Sequence, residues 1–240
     1  MNSQAKLTAG KTSFDVAAIV AGLKPRFLAG VDPAETHSIV AAATFKRFGA
    51  NTVVIREGDR AEHFFLMLSW GARHFTMSPK GEKVVVRWLP PGEVTGGASF
   101  LSEPVSYVLS TEMMKNSSAL VWDRATIRSL AVTYPRLMEN MLLVAHDYLL
   151  FYRILHVTLS CQSAPQRVAQ VLGYLAKEMG QSVPGGLELQ VRNEELAHQA
   201  NVTILTVSRL MGEWQRKGLL TKGRGKVVVR SPEELILMEA

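Results

Sequence analysis

The chain has 240 residues, of which 47% are hydrophobic and 20% charged, with a formal net charge of +6. That composition excludes a disordered chain. At about 100–200 residues per domain it allows one or two domains whose cores need neither disulfide nor metal. A single cysteine, Cys161, excludes an internal disulfide, a four-cysteine zinc site and a conventional iron–sulfur cluster, and fits a reducing cytosol.

A polar tail leads into a short apolar helix. Residues 16–23 follow Asp15 and run into Lys24-Pro25-Arg26, with no small-residue cleavage site, so they do not read as a signal peptide. Asp32-Pro33-Ala34-Glu35 opens a second helix, with an Asp cap, Pro in the first turn and an acid near the positive end of the helix dipole; it is expected to end near Thr44. From Phe45 to about Trp122, short β-rich runs alternate with turn residues, at 52–56, 64–68, 73–77, 84–89, 105–111 and 119–122. This spacing predicts an antiparallel roll or barrel. A short helix capped by Asp123 follows and breaks at Tyr134-Pro135.

A long helix is expected over 135–161. Leu137, Met141, Val144, Tyr148, Phe151, Leu155 and Thr158 recur at alternating steps of four and three, the seam rhythm of a coiled coil. Leu142, Leu143, Leu149, Leu150, Ile154 and Val157 make a second apolar side. A helix apolar on two sides has to be covered on two sides. The simplest arrangement puts one side on the chain's own β-domain and the other on a second copy. A central helix in a monomeric core is the alternative, and the seam rhythm favours the pair. His146, Asp147, Arg153 and His156 argue against a membrane span, since Asp or Arg at mid-bilayer costs roughly 2.5–3.5 kcal/mol each.

Ala164-Pro165 begins another unit. Residues 166–179 read as a helix, 180–186 as a turn-rich link, and 193–200 and 203–217 as two further helices. Leu196, Ala200, Val207 and Leu210 face one core if the last two helices meet across a tight corner. Asn201 supplies the left-handed residue at that corner, and Thr203 supplies the cap of the second helix. This is a helix-turn-helix, whose second helix enters the major groove. Thr203, Ile204, Leu205, Thr206, Ser208 and Arg209 are then the groove-facing residues. The two aliphatics suit thymine methyls, Arg209 suits a bidentate contact to guanine, and Thr206 and Ser208 suit phosphate. Arg216 follows on the same helix. Residues 218–230 read as a hairpin carrying Lys222, Arg224 and Lys226 at its tip. Residues 206–230 hold seven basic side chains and one acid, the charge that phosphate binding and counterion release require.

These motifs, in order, are Phe48-Gly49, Arg56-Glu57-Gly58-Asp59, Leu89-Pro90-Pro91-Gly92-Glu93-Val94 with Gly96, Tyr134-Pro135, Arg167-Val168-Ala169, and Thr203 with Thr206-Val207-Ser208-Arg209. Over residues 35–230 the chain resembles the CRP/FNR family of bacterial transcription regulators. The resemblance implies an α+β fold: an N-terminal antiparallel, cyclic-nucleotide-binding-like β-roll over 1–134, a long dimerisation helix over 135–163 and a C-terminal winged helix-turn-helix over 164–240. It further implies a cytoplasmic homodimer on palindromic double-stranded DNA, with RNA polymerase as a partner if the regulator activates.

The departures from the family pattern matter as much. The resemblance places an effector pocket at Gly96, Gly97, Ala98, Ser99, Val105, Ser106, Tyr152 and Arg153. Nucleotide-binding members carry a Glu after the glycine, for the ribose, and a Pro-Arg-Ser whose Arg holds the cyclic phosphate. Here Gly97 and Pro104-Val105-Ser106 stand instead, so cyclic AMP or GMP is not expected to bind in the usual way. Arg153 either meets another anion or forms a structural pair in a filled pocket. In the reading helix, Ile204-Leu205 replaces the Arg-Glu of many members. No cofactor, metal site or catalytic residue is predicted: no Gly-Lys-Ser/Thr follows the Gly-rich 91–100 segment, and no serine elbow or His-Glu-x-x-His occurs. His74 on a roll strand reads as a core residue, with a haem role as the alternative, and Cys161 at the end of the long helix as a packing residue, with redox sensing as the alternative. The runner-up function is a small-molecule-binding module whose winged domain mediates protein contacts.

Overall fold

The computed structural model describes residues 12–223 and 225–239. They form two compact units. One comprises the chain up to His74 together with Leu89–Asp147; the other comprises Phe75–Trp88 together with the chain from Tyr148 onward.

The first unit opens with α1 (Thr12–Leu23) and α2 (Pro33–Ala41). Asp32 caps α2 by accepting from the Ala34 amide at 2.8 Å, with Pro33 in the first turn. The strands of the roll are β1 (Thr44–Phe48), β2 (Val53–Ile55), β3 (His63–Ser69), β4 (Ala72–Met77), β5 (Lys83–Leu89), β6 (Val94–Thr95), β7 (Ser110–Met113) and β8 (Ser117–Asp123), of which Phe75–Trp88 belong to the second unit. They make two four-stranded sheets, ordered β1-β8-β3-β6 and β2-β7-β4-β5. The register of the first sheet is set by Thr44↔Val121 and Phe65↔Val121. It buries Phe64, Leu66, Leu120 and Trp122 on its inner face. Phe27 and Phe100 close on Phe64 edge to face, with ring centroids 4.9 Å apart in each pair; Trp122 joins them and donates its indole N–H to the Ile39 carbonyl at 2.9 Å.

Two expectations change here. The strand predicted over 105–111 begins only at Ser110. Residues 105–107 instead exchange backbone bonds with 58–61 across the roll: Ala61 donates to the Val105 carbonyl, and Tyr107 donates to the Asp59 carbonyl, both at 2.9 Å. β1 and β6 were not expected; β1 is a largely exposed edge strand without clean alternation, and β6 has two residues inside a glycine-rich stretch.

Asp123 caps α3 (Arg124–Thr133), and the Thr126 amide bonded to its carboxylate holds that group below the ordinary Asp range. Then comes α4 (Arg136–Cys161). Its length and mean hydropathy would suit a membrane span. Its first half, however, is tied down by polar bonds within the unit: Asn140, fully buried, donates to the Phe27 and Ala29 carbonyls at 2.9 Å each, and Asp147 pairs with Arg26 at 2.9 Å.

The seam Leu137, Met141, Val144, Tyr148, Phe151, Leu155 and Thr158 is buried or half-buried. The second side is not. Leu142 and Leu149 are each 67% exposed, and Leu143, Leu150, Ile154 and Val157 are exposed with them. The residues with coiled-coil rhythm are thus the inward ones, and the other apolar side is the one left bare.

In the second unit, α5 (Ala164–Met179) starts at a capping box between Ser163 and Gln166. Next come β9 (Gln181–Val183), β10 (Gly186–Leu189), α6 (Asn193–Ala200), α7 (Ile204–Arg216), β11 (Leu220–Gly223), β12 (Lys226–Val229) and α8 (Pro232–Leu237). The predicted turn-rich link over 180–186 is a hairpin, joined to the wing in one sheet of order β11-β12-β10-β9. Three- and four-residue strands around a Pro184-Gly185 turn leave little alternation to read. The core is Val168, Leu172, Leu196, Val207, Leu210 and Trp214.

The corner between α6 and α7 shows why this sequence turns there. Asn201 sits at φ 49° and ψ 57°, the left-handed region, and the Val202 amide donates back to Ala197 at 2.9 Å. Among side chains, short Asn and Asp tolerate this conformation best. Asn201→Val is therefore expected to lower the unfolding free energy by about 1–2 kcal/mol, and Asn201→Gly by much less, as read from urea denaturation.

Candidate nucleic-acid interface and effector pocket

The reading helix begins where the sequence places it. Thr203 Oγ1 accepts from the Thr206 amide at 3.1 Å and lies 2.9 Å from the Thr206 hydroxyl. Both hydroxyls therefore stand at the helix N-terminus, where backbone N–H groups attract anions. Val207, Leu210, Met211 and Trp214 are buried, so the opposite side of α7 is the free one. It shows Thr203, Ile204, Leu205, Ser208, Arg209 and Arg216, with Thr206 half-buried. Leu205 is 81% and Ile204 50% exposed, an apolar tip left bare among the described residues. Arg209 Nη1 donates to Glu213 Oε1 at 2.6 Å, one turn along the helix.

On the wing, Lys222 and Lys226 are exposed, and Lys226 Nζ meets Glu188 Oε2 of β10 at 2.7 Å. Arg224, expected at the wing tip, lies outside the described residues.

Sequence reasoning used Arg167 only as part of a motif; the structure gives its physical role. Its Nε donates to the Ala200 carbonyl at 2.7 Å, its Nη1 to Gln162 at 2.7 Å and its Nη2 to Asn201 at 3.1 Å. The carbonyls at a helix C-terminus lack intrahelical donors. One guanidinium thus satisfies the end of α6 and the end of α4, and locks the corner from which α7 projects.

The residues expected around an effector fall into both units. In the first unit, Gly96 adopts φ 85°, and a Cβ there would stand 2.3 Å from the His63 carbonyl oxygen, so only glycine fits. A Cβ on Gly97 would meet the Met141 methyl of α4 at 2.9 Å. That methyl is the far end of a flexible side chain. Ala98 is half-buried; Ser99 is fully buried, with no hydrogen-bond partner for its Oγ among the described residues. Val105 and Ser106 are exposed, while Tyr107 next to them is buried. Its hydroxyl accepts from the His63 amide and donates to the His63 carbonyl, both at 2.8 Å. Burial pushes that phenol above its ordinary value.

Polar groups also occupy the roll interior. His74 Nε2 lies 2.9 Å from Thr95 Oγ1, which lies 3.0 Å from Thr111 Oγ1. Arg73 and Glu112 form a buried ion pair through Nε and Nη2, both 2.7 Å from one carboxylate oxygen. Neither residue was singled out in sequence. A surface-like Arg and Glu on separate strands give no local sign that the register buries them together.

In the second unit, Arg153 is exposed and makes no ion pair among the described residues, in contrast to the structural pair weighed for it. The cation that packs against α4 is Arg87 of β5. Its guanidinium carbon lies 4.1 Å from the Tyr148 ring centre and 5.3 Å from that of Phe151. Tyr152 is half-buried, and its hydroxyl has no hydrogen-bond partner among the described residues. Burial raises its pKa, and the charge of Arg87 partly offsets this. Among the described residues, no cluster of three or more His, Cys, Asp or Glu is arranged to hold a metal. Cys161 is exposed.

Two family models match the chain: a cyclic nucleotide-binding domain over residues 45–134 and a Crp-like helix-turn-helix domain over residues 166–238. The Cyclic AMP receptor protein of Thermus thermophilus is 27% identical over 208 residues, covering 84% of this chain and 90% of its own. Among solved structures, FixK2 of Bradyrhizobium japonicum is similar with a TM-score of 0.71 at 20% identity, over 82% of this chain and 98% of that one. The c-di-GMP responsive regulator CLP of Xanthomonas campestris has the same TM-score and identity, over 82% and 99%. The fold and its reading helix define a transcription regulator with a DNA-binding helix-turn-helix. The chain belongs to the CRP/FNR family.

Removing one partner of the Arg73–Glu112 pair strands a buried charge. Glu112→Ala is expected to cost about 3–5 kcal/mol of stability, while replacing both residues by leucine recovers most of that loss. Calorimetric unfolding of the three proteins checks it.

Proposed function

We propose that this regulator acts as a homodimer. Two chains pair along the bare side of α4 and present their α7 helices to successive major grooves of a palindromic operator, about one DNA turn apart. The supporting observation is the coexistence of an apolar side of α4 left exposed among the described residues with a reading helix exposed from Thr203 to Arg216. Thr203, Thr206 and Ser208 hold phosphate. Ile204 and Leu205 lie against thymine methyls, Arg209 reads guanine, and Arg216, Lys222, Arg224 and Lys226 anchor the flanking backbone.

The roll does not take cyclic AMP or cyclic GMP in the usual way. Gly97 supplies no carboxylate for a ribose, and Met141 occupies the adjacent space. Val105-Ser106 supplies no cation for a phosphate. The effector, where there is one, is of another kind. A signal in the roll would act by shifting α4 and so the spacing of the two readers. The protein is cytoplasmic, is not an enzyme, and engages RNA polymerase where it activates.

Gel-shift titration of the full chain against genomic fragments, over a salt series, tests the DNA reading. Four cationic phosphate anchors on each of two chains predict a loss of affinity of about 10⁴-fold between 50 and 200 mM salt. Salt-independent binding would instead favour a protein-contacting wing. Calorimetric titration with cyclic AMP is expected to give no binding in the micromolar range; micromolar binding would refute the filled-pocket reading.

A further inference from the structure

Glu213 is the one acid in the otherwise basic stretch 206–230. A carboxylate there opposes phosphate binding, and its place is specific: four residues after Arg209, with Oε1 2.6 Å from Arg209 Nη1. The Glu213 side chain is only 34% exposed, against 60% for Arg209. The carboxylate thus sits back against the helix while the guanidinium stands out beyond it.

The geometry points to Glu213 as a positioning residue that sets which edge of Arg209 faces the base. A guanidinium carries five N–H donors in a rigid plane. With Nη1 held by Glu213, the Nε–H and Nη2–H edge stays free, and those two parallel donors match the O6 and N7 acceptors of guanine. In water an exposed pair of this spacing is weak. Against a base edge with water excluded, the same contact strengthens. It then limits the rotamers through which Arg209 would otherwise reach a neighbouring phosphate or another base. Glu213 touches no DNA itself. It lowers affinity for arbitrary duplex and raises discrimination at one base pair.

This inference rests on Arg209 being a base reader, so the test separates the two. Wild-type full-length protein selects its half-site from random duplexes, and R209A identifies the base pair that Arg209 reads. Affinities of wild type, R209A, E213Q and E213A are then measured for the four bases at that pair and for a non-specific duplex, with circular dichroism confirming the fold. E213Q and E213A are expected to cut the preference for guanine about five- to tenfold at that pair alone and to bind non-specific duplex a few-fold more tightly. Full wild-type discrimination in both Glu213 variants, with R209A relaxed, overturns the positioning role. A changed preference at a different pair also overturns it, because Glu213 would then read a base directly. If R209A relaxes no position, the base-reading role of Arg209 fails first and the inference falls with it.

Discussion

The rest of the molecule depends on how α4 is solvated. One side is committed within the chain: Leu137, Asn140 and Val144 are buried, and Asn140 is fixed by two backbone carbonyls. The other side carries six aliphatic side chains in water. Covering a side chain of this kind gains roughly 1.5–3 kcal/mol, while association costs on the order of 4–15 kcal/mol in lost freedom. One such contact would not hold two chains together. Six on each chain, already about half covered, gain on the order of 10–20 kcal/mol together, which offsets that cost. The proposed pairing follows from that balance, and with it the presentation of two reading helices to one duplex.

The helix-turn-helix is an arrangement of satisfied backbone groups as much as of packed side chains. Asn201 makes the turn, Thr203 caps the reading helix, and Arg167 satisfies the carbonyls that the turn leaves open. Ile204 and Leu205 can remain exposed because none of this local structure depends on burying them. The roll shows the converse. Its polar and packing contacts join strands and helix far apart in sequence: Met141 beside Gly97, Tyr107 bonded to His63, and Arg73 paired with Glu112.

Much of this was readable in sequence, for physical reasons that also mark its limits. Caps at Asp32, Asp123 and Thr203, and the left-handed Asn201, are local chemistry and came through directly. The reading helix followed from its buried 3.6-residue stripe. The hairpin Gln181–Leu189 and the strand Thr44–Phe48 were missed because their stability comes from sheet neighbours distant in sequence. The two apolar sides of α4 were seen, but rhythm alone did not say which one the chain covers for itself. The Arg209–Glu213 contact lay within reach at i,i+4 spacing. The Arg87 stack on Tyr148 and the Arg73–Glu112 pair did not, since each joins segments that only the tertiary fold brings together.

The bare side of α4 is tested most directly by sedimentation equilibrium of the purified full chain, alone and with a fluorescent duplex at low salt. Pairing along α4 gives twice the 26.4 kDa chain mass at micromolar concentration, and two chains on each duplex. A stable single chain that binds duplex one to one, with its six aliphatics still in water, would contradict it.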